Sequence, residues 1–289
     1  MHRRPGGYTR SVPTDLDTQI WERHEAACDR GAVTYEDPAT GYQVMTRVGL
    51  EARGTCCGSG CRHCPFDHVQ VPAVRRPETA EWLHRASTTV SGPVDVLFWS
   101  GGKDSFSAYL SLRDAGERPV VLLTTFDGRS RRVAHQELSI DVIAGQASGL
   151  DIDALAVPLA RGGAYVEQVE RALQMVRAVG PVKRLVFGDL HLEEVKRWRL
   201  AMLGPVASRL GATPHFPLWK ADYAALARRL EASGATFRVC ATNVPSSMPL
   251  GAVWTPAGCD DLPAGIDAFG EYGEFHTEVV LPGAPDASS

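Results

Sequence analysis

The chain has 289 residues and 44% of them are hydrophobic, enough for one large α/β domain with a real core plus a smaller module. Its formal net charge of −4 excludes a global basic footprint for nucleic acid, leaving only a local basic patch open. No apolar run of about 18 residues is present, so no membrane partner is expected. Residues 1–7 lack the apolar stretch of a secretory signal, and the expectation is a cytoplasmic protein.

Along the chain, residues 1–90 read as a turn-rich, polar, cysteine-bearing module. Residues 91–289 read as a second domain. Four of the seven cysteines crowd into Thr55-Cys56-Cys57-Gly58-Ser59-Gly60-Cys61-Arg62-His63-Cys64-Pro65-Phe66. Thiolates are soft ligands suited to zinc or an iron–sulfur cluster. The spacing of Cys61 and Cys64 lets one turn present two sulfurs to one centre, and Cys56 or Cys57 can supply a third. Adjacent cysteines do not both ligate one metal comfortably, so three cysteines with His63 or an outside ligand is the expected set. Zn2+ as a structural staple, a [4Fe-4S] cluster with an open iron, and reduced or disulfide-bonded cysteines all stay open. The segment 21–66 resembles a small cysteine-rich family with the pattern CCGxGCRHCP, and that resemblance implies no activity. Of the scattered Cys28, Cys240 and Cys259, Cys240 ends an expected strand and reads as core.

From about Pro93, short apolar runs alternate with helical patterns, the mark of an α/β fold with a doubly wound, mostly parallel sheet. Strands are expected at 94–99, 119–126, 152–159, 184–190, 214–218 and 237–241, continuously apolar as strands buried on both faces should be. Helices are expected at 105–115, 133–149, 165–179, 193–210 and 223–233, with Gly149 as a C-cap. A further short strand is expected at 274–281, and residues 285–289 are expected to be disordered.

Between the first strand and the first helix lies Ser100-Gly101-Gly102-Lys103-Asp104-Ser105. Gly101 and Gly102 let the chain turn sharply and its backbone approach a phosphate, while the helix start offers free amides and a favourable dipole. Ser100 and Ser105 add hydroxyl donors, Lys103 a mobile positive charge, and Asp104 a magnesium ligand or a helix-start carboxylate. The turn lacks the four-residue spacer of the Walker motif. It resembles the SGGxDS turn of the PP-loop, or N-type ATP pyrophosphatase, superfamily. That resemblance implies cleavage of ATP between its α and β phosphates, with an adenylated substrate oxygen.

Three further segments follow in order: Arg131-Arg132-Val133-Ala134-His135, Phe187-Gly188-Asp189-Leu190-His191-Leu192-Glu193 and Gly270-Glu271-Tyr272-Gly273-Glu274-Phe275-His276-Thr277. Asp189 is expected at a strand's C-terminal end, where it can reach magnesium or a ligand, or else cap the next helix. Glu274 and His276 flank Phe275, so in a strand they would share one face. A carboxylate there can hold ammonium or accept a proton near ammonia. His135 alone reads as a surface or capping residue.

Together with the turn and with Phe216-Pro217-Leu218-Trp219, these segments look like the diphthine–ammonia ligase family over roughly residues 94–282. The resemblance implies an adenine nucleotide alpha hydrolase-like fold and conversion of a carboxylate to an amide. ATP, Mg2+, ammonia and a carboxylate of a small molecule or protein side chain are the implied partners. It places Ser100, Gly101, Gly102, Lys103, Asp104, Ser105, Gly188 and Asp189 at the nucleotide, and Lys103, Asp104, Glu271, Glu274 and His276 at the chemistry. Phe269 and Tyr272 depart from the cysteine and asparagine frequent in the family, which bears on the acceptor. Two other readings stand beside this one: a PP-loop sulfur-transfer enzyme using an iron–sulfur cluster on tRNA or a small molecule, and a non-enzymatic nucleotide- or metal-sensing module. A homodimer is compatible with each.

Overall fold

A computed structural model describes residues 15–38, 41–59, 61–71, 79–88, 91–128, 130–159, 165–259 and 262–282. The tail at 285–289 lies outside the described residues. The chain divides into two compact units, Met1–Pro77 with Arg161–Ala164, and Glu78–Ala160 with Tyr165–Ser289.

The first unit holds α1 (Asp15–Asp29), β1 (Thr34–Glu36), β2 (Gln43–Met45) and α2 (Arg47–Glu51). β1 and β2 pair antiparallel, with Tyr35 opposite Val44. Thr46 caps α2 by accepting a 3.0 Å hydrogen bond from the Gly49 amide, which satisfies one of the donors a helix start leaves over. Trp21, Ala27, Tyr35 and Leu50 are buried, and Cys56, Cys64 and Val71 form a small cluster of their own.

The second unit runs β3 (Glu81–His84), β4 (Val94–Phe98), α3 (Lys103–Ala115), β5 (Val120–Asp127), α4 (Ile140–Leu150), β6 (Ala154–Leu159), α5 (Tyr165–Val176), β7 (Val182–Val186), α6 (Glu193–Arg209), β8 (Thr213–His215), α7 (Tyr223–Ala232), β9 (Thr236–Thr242), β10 (Val253–Trp254), α8 (Pro256–Cys259) and β11 (Phe275–Val280). Six strands form one sheet in the order β3-β6-β5-β4-β7-β8. All its pairings are parallel except β3 against β6. The chain steps from β4 through β5 to β6 and then returns by way of α5 to β7 on the other side of β4; with the right-handed crossovers that parallel strands favour, this reversal lays helices on both faces. This is the α/β, doubly wound, mostly parallel architecture, and the crevice at the reversal is where such sheets take ligands.

Several expected elements differ. The run 237–241 does not join the parallel sheet: as β9 it pairs antiparallel with β10 and β11 in a separate three-stranded sheet. The helix expected from 133 begins at Ile140, because Arg131, His135 and Glu137 take left-handed φ values of 53°, 69° and 55° and Ser139 caps the start. It ends at Asp151 in the left-handed region, φ 52°, and Gly149 lies inside it. β3 was not anticipated. It lies in the second unit, on the sheet edge beside β6, although the N-terminal module was expected to run to residue 90.

Candidate functional site

The turn at 100–105 leaves β4 at the topological reversal and opens α3. Its shape is imposed from three sides. The Trp99 carbonyl accepts from Thr124 Oγ1 at 2.8 Å. The Gly101 carbonyl accepts from the Val279 amide at 2.8 Å and from Gln146 Nε2 at 3.1 Å. The Lys103 amide donates to Thr277 Oγ1 at 3.1 Å. Gly101 has φ 81°, and a Cβ there would stand 2.7 Å from Ile143 Cδ1 and 2.9 Å from Leu138 Cδ1. A Cβ on Gly102 would meet the Thr277 carbonyl at 2.8 Å. Gly101 is therefore needed for the turn, and Gly102 for the close approach of the Thr277 backbone. Ser105 Oγ donates to the Gly102 carbonyl at 2.9 Å, and Ser100 Oγ lies 3.3 Å from Ser105 Oγ. Gly102 is the N-cap of α3 and supplies no capping side chain; its own amide and that of Lys103 donate to Ser100 Oγ and Thr277 Oγ1, so an anion here would meet the amides that follow.

Gln146 completes the frame. Buried, it donates to the Gly101 and Val279 carbonyls, the latter at 2.8 Å, and accepts from Trp99 Nε1 at 2.9 Å. One side chain thus ties β4, the turn and β11 together. No sequence signal marked it, since a glutamine in a helix reads as surface.

Lys103 is not the mobile cation expected. It is 2% exposed, its Nζ donates to the Phe269 carbonyl and, at 3.0 Å, to Asp104 Oδ2. The rings of Phe269, Phe275 and Trp254 surround the ammonium at 5.3, 5.6 and 5.9 Å. Its charge is paired with Asp104 and is also felt by Glu271 and His276. The other oxygen of that carboxylate, Oδ1, is buried with no hydrogen-bond partner. Burial pushes the Asp104 carboxyl up, opposed by Lys103 and assisted by the nearby Asp267 and Asp189 charges.

Glu271 enters the same region. Its Oε1 accepts from the amides of Leu190 at 3.1 Å and His191 at 3.4 Å, just beyond β7. Burial first, and Asp104 second, push its carboxyl up to about 7. The chain after β7 also crosses the start of α3 closely: a Cβ on Gly188 would lie 3.0 Å from the Asp104 carbonyl. The structure thus brings Asp104, Gly188, Glu271 and the turn together.

Asp189 stands just past β7, near enough to Asp104 to raise its pKa, whereas Glu274 and His276 are placed differently from expectation. Asp189 is paired with Arg199, with Nε to Oδ2 at 3.1 Å and Nη2 to Oδ1 at 3.4 Å. The N-cap of α6 is Leu192, so Asp189 does not cap that helix. Glu274 precedes β11 and does not share a strand face with His276. Its two oxygens accept from the Asp267 and Tyr272 amides, each at 3.0 Å, and so tie the loop shut. His276 lies with its ring 5.6 Å from that of His135, beside the turn, and burial drives its pKa down to about 4. Asp267 and Tyr223 escaped the sequence reading. Tyr223 Oη donates to the Asp267 carboxylate at 3.1 and 3.2 Å and lies 3.1 Å from His191 Nδ1.

In the first unit the four clustered sulfurs form pairs. All four are free thiols: Cys57 Sγ lies 3.3 Å from Cys61 Sγ, and the Cys56 and Cys64 side chains share a hydrogen bond. Among the described residues no three of these sulfurs lie within 4.8 Å of one another, the spread that ligands of a single ion would take. His63 is drawn away from the group: its Nε2 lies 2.9 Å from Tyr35 Oη and its ring stacks on His24.

Comparison with known proteins adds two findings. Residues 23–70, which include the cysteine cluster, match a family of unknown function, DUF5522. A solved structure described as a predicted subunit of a tRNA methyltransferase from Methanocaldococcus jannaschii is 20% identical, covering 58% of this chain and 84% of that chain, with a TM-score of 0.33. At that score the likeness carries no argument about this chain.

Proposed function

We propose that this protein is an ATP-dependent, AMP-forming ligase that activates a substrate carboxylate and amidates it with ammonia. The observation that carries the reading is the joining of two distant segments: the turn at 100–105 is bonded to Thr277 and Phe269, and Glu271 lies beside Asp104. In this reading the turn and the start of α3 hold the phosphates of ATP. Asp104 Oδ1, a buried hard oxygen with no hydrogen-bond partner, fits magnesium, which supplies charge neutralisation at phosphate oxygens.

An oxygen of the substrate carboxylate attacks the α-phosphorus as the bond to pyrophosphate breaks, and ammonia then displaces AMP from the acyl carbon. The protein's contribution is alignment of the two reactants and exclusion of competing water. Glu271, titrating at about 7, is suited to take the proton that ammonium must lose before it attacks.

The test supplies purified protein with ATP, magnesium, isotopically labelled ammonium and a metabolite or protein extract. AMP, pyrophosphate and label in a new amide are expected. ADP as the nucleotide product overturns the mechanism.

A further inference from the structure

The four clustered thiols differ in what can reach them. Cys56 and Cys64 are only 3% and 4% exposed and share a hydrogen bond. Cys57 is exposed and Cys61 half-buried, and their sulfurs stand 3.3 Å apart. The sulfurs of a disulfide lie about 2.05 Å apart, so this pair has roughly 1.2 Å left to close. Shared between two side chains, that gap needs only a small rotation of each about its Cα–Cβ bond.

The chain on both sides of the pair is held. The Cys61 carbonyl accepts from the Cys64 amide at 3.3 Å and from His68 Nε2 at 3.0 Å. Gly58, at φ 73°, packs on the Gln70 main chain so closely that a Cβ would stand 3.0 Å from the Gln70 carbonyl. The Ser59 amide and hydroxyl bond the Cys57 sulfur. The second sulfur is therefore already beside the first, and a reaction between them needs no search by the chain.

We propose that Cys57 and Cys61 form a thiol–disulfide exchange site for low-molecular-weight disulfides, with Cys57 as the entry sulfur and Cys61 as the resolving one. The Cys57 thiolate attacks one sulfur of the small disulfide. That sulfur–sulfur bond breaks, one thiolate leaves, and Cys57 holds the other half as a mixed disulfide. Cys61 then gives its proton to solvent and attacks the Cys57 sulfur. The bond between the two cysteines forms as the mixed bond breaks and the second thiolate leaves. The cysteine pair loses two electrons and two protons, and the small disulfide gains them as two thiols. Cys56 and Cys64, one residue and three residues away in sequence, are kept out of the exchange by burial.

The experiment treats reduced full-length protein with oxidised glutathione in the absence of air. The remaining thiols are then alkylated in denaturant and located by mass spectrometry. In the wild type, Cys57 and Cys61 are expected to lose alkylation together, about tenfold ahead of Cys56 and Cys64. Cys61→Ser is expected to stop at a glutathione adduct on Cys57. A wild-type protein whose four thiols stay reduced, or whose Cys56 and Cys64 are oxidised first, overturns the proposal. A wild-type protein that halts with glutathione on Cys57 overturns it as well, because Cys61 then resolves nothing. So does a folded Cys61→Ser protein without an adduct on Cys57. If that variant does not fold, the order of thiol loss in the wild type decides.

Discussion

Two side chains near the phosphate-type turn resist charge from opposite directions. Burial and Asp104 raise the Glu271 carboxyl from 4.5 to about 7, while burial lowers His276 from 6.5 to about 4. The folded protein therefore holds the Glu271 proton more tightly than the unfolded chain does. Its contribution to stability is fully present below pH 4.5 and is lost as the pH rises through about 7. His276 works the other way: its contribution is present above pH 6.5 and is lost as the pH falls through about 4. Glu271→Gln isolates the first effect, because it keeps an acceptor oxygen for the Leu190 and His191 amides and removes the titrating group. Denaturation at about pH 8 should find the variant more stable by on the order of 1–3 kcal/mol, with the advantage gone near pH 4.5. Amide formation should be lost at every pH. Equal pH–stability curves for wild type and variant would refute the assignment. The placement of Glu271 thus sets stability against the chemistry proposed for it.

At the scale of elements, Gln146 of α4 ties the turn to Trp99 and β11. Gln146→Leu fills similar space but leaves Trp99 Nε1 and the Val279 carbonyl without the bonds described here, in a region closed to water. Unpaired groups of this kind cost about 1–3 kcal/mol each, so a fall of roughly 2–4 kcal/mol in unfolding free energy is expected, along with loss of nucleotide turnover. Urea titration measures it, and an unmoved midpoint would rule out a structural role for the glutamine. This residue also marks where the sequence stopped being legible. β4, β5, β6 and β7 were readable because strands covered on both faces are continuously apolar. β3, Glu81-Trp82-Leu83-His84, was not, because an edge strand can be half polar. β9 was readable as a strand but not as a member of the second sheet, since side-chain periodicity says nothing about the pairing partner. The turn was legible down to its glycines. The burial of Lys103 was not, because a main-chain carbonyl at Phe269 and three rings distant in sequence create it.

Over the whole molecule, the two compact units divide the sequence's two signals, the cysteine cluster and the phosphate-type turn. None of the helices among the described residues is long and apolar enough to cross a membrane. Within the second unit the six-stranded sheet supplies the crevice and Thr124, and the three-stranded sheet supplies the bonds from Thr277 and Val279 that shape the turn. A chain ended after Asp267 would keep every strand of the larger sheet and lose β11. Its circular dichroism should remain that of an α/β protein while ATP binding, followed by calorimetry, disappears. Retained binding would show that the turn is shaped without Thr277 and Val279. The bond from the Lys103 amide to Thr277 spans 174 positions. On the ribosome, the turn emerges long before the strand that shapes it. A nascent chain can therefore assemble its large sheet early, but the turn can be completed only after synthesis has passed Val279. A product released prematurely would fold in part and remain inert toward nucleotide, so in this architecture activity itself reports that translation reached the last strand.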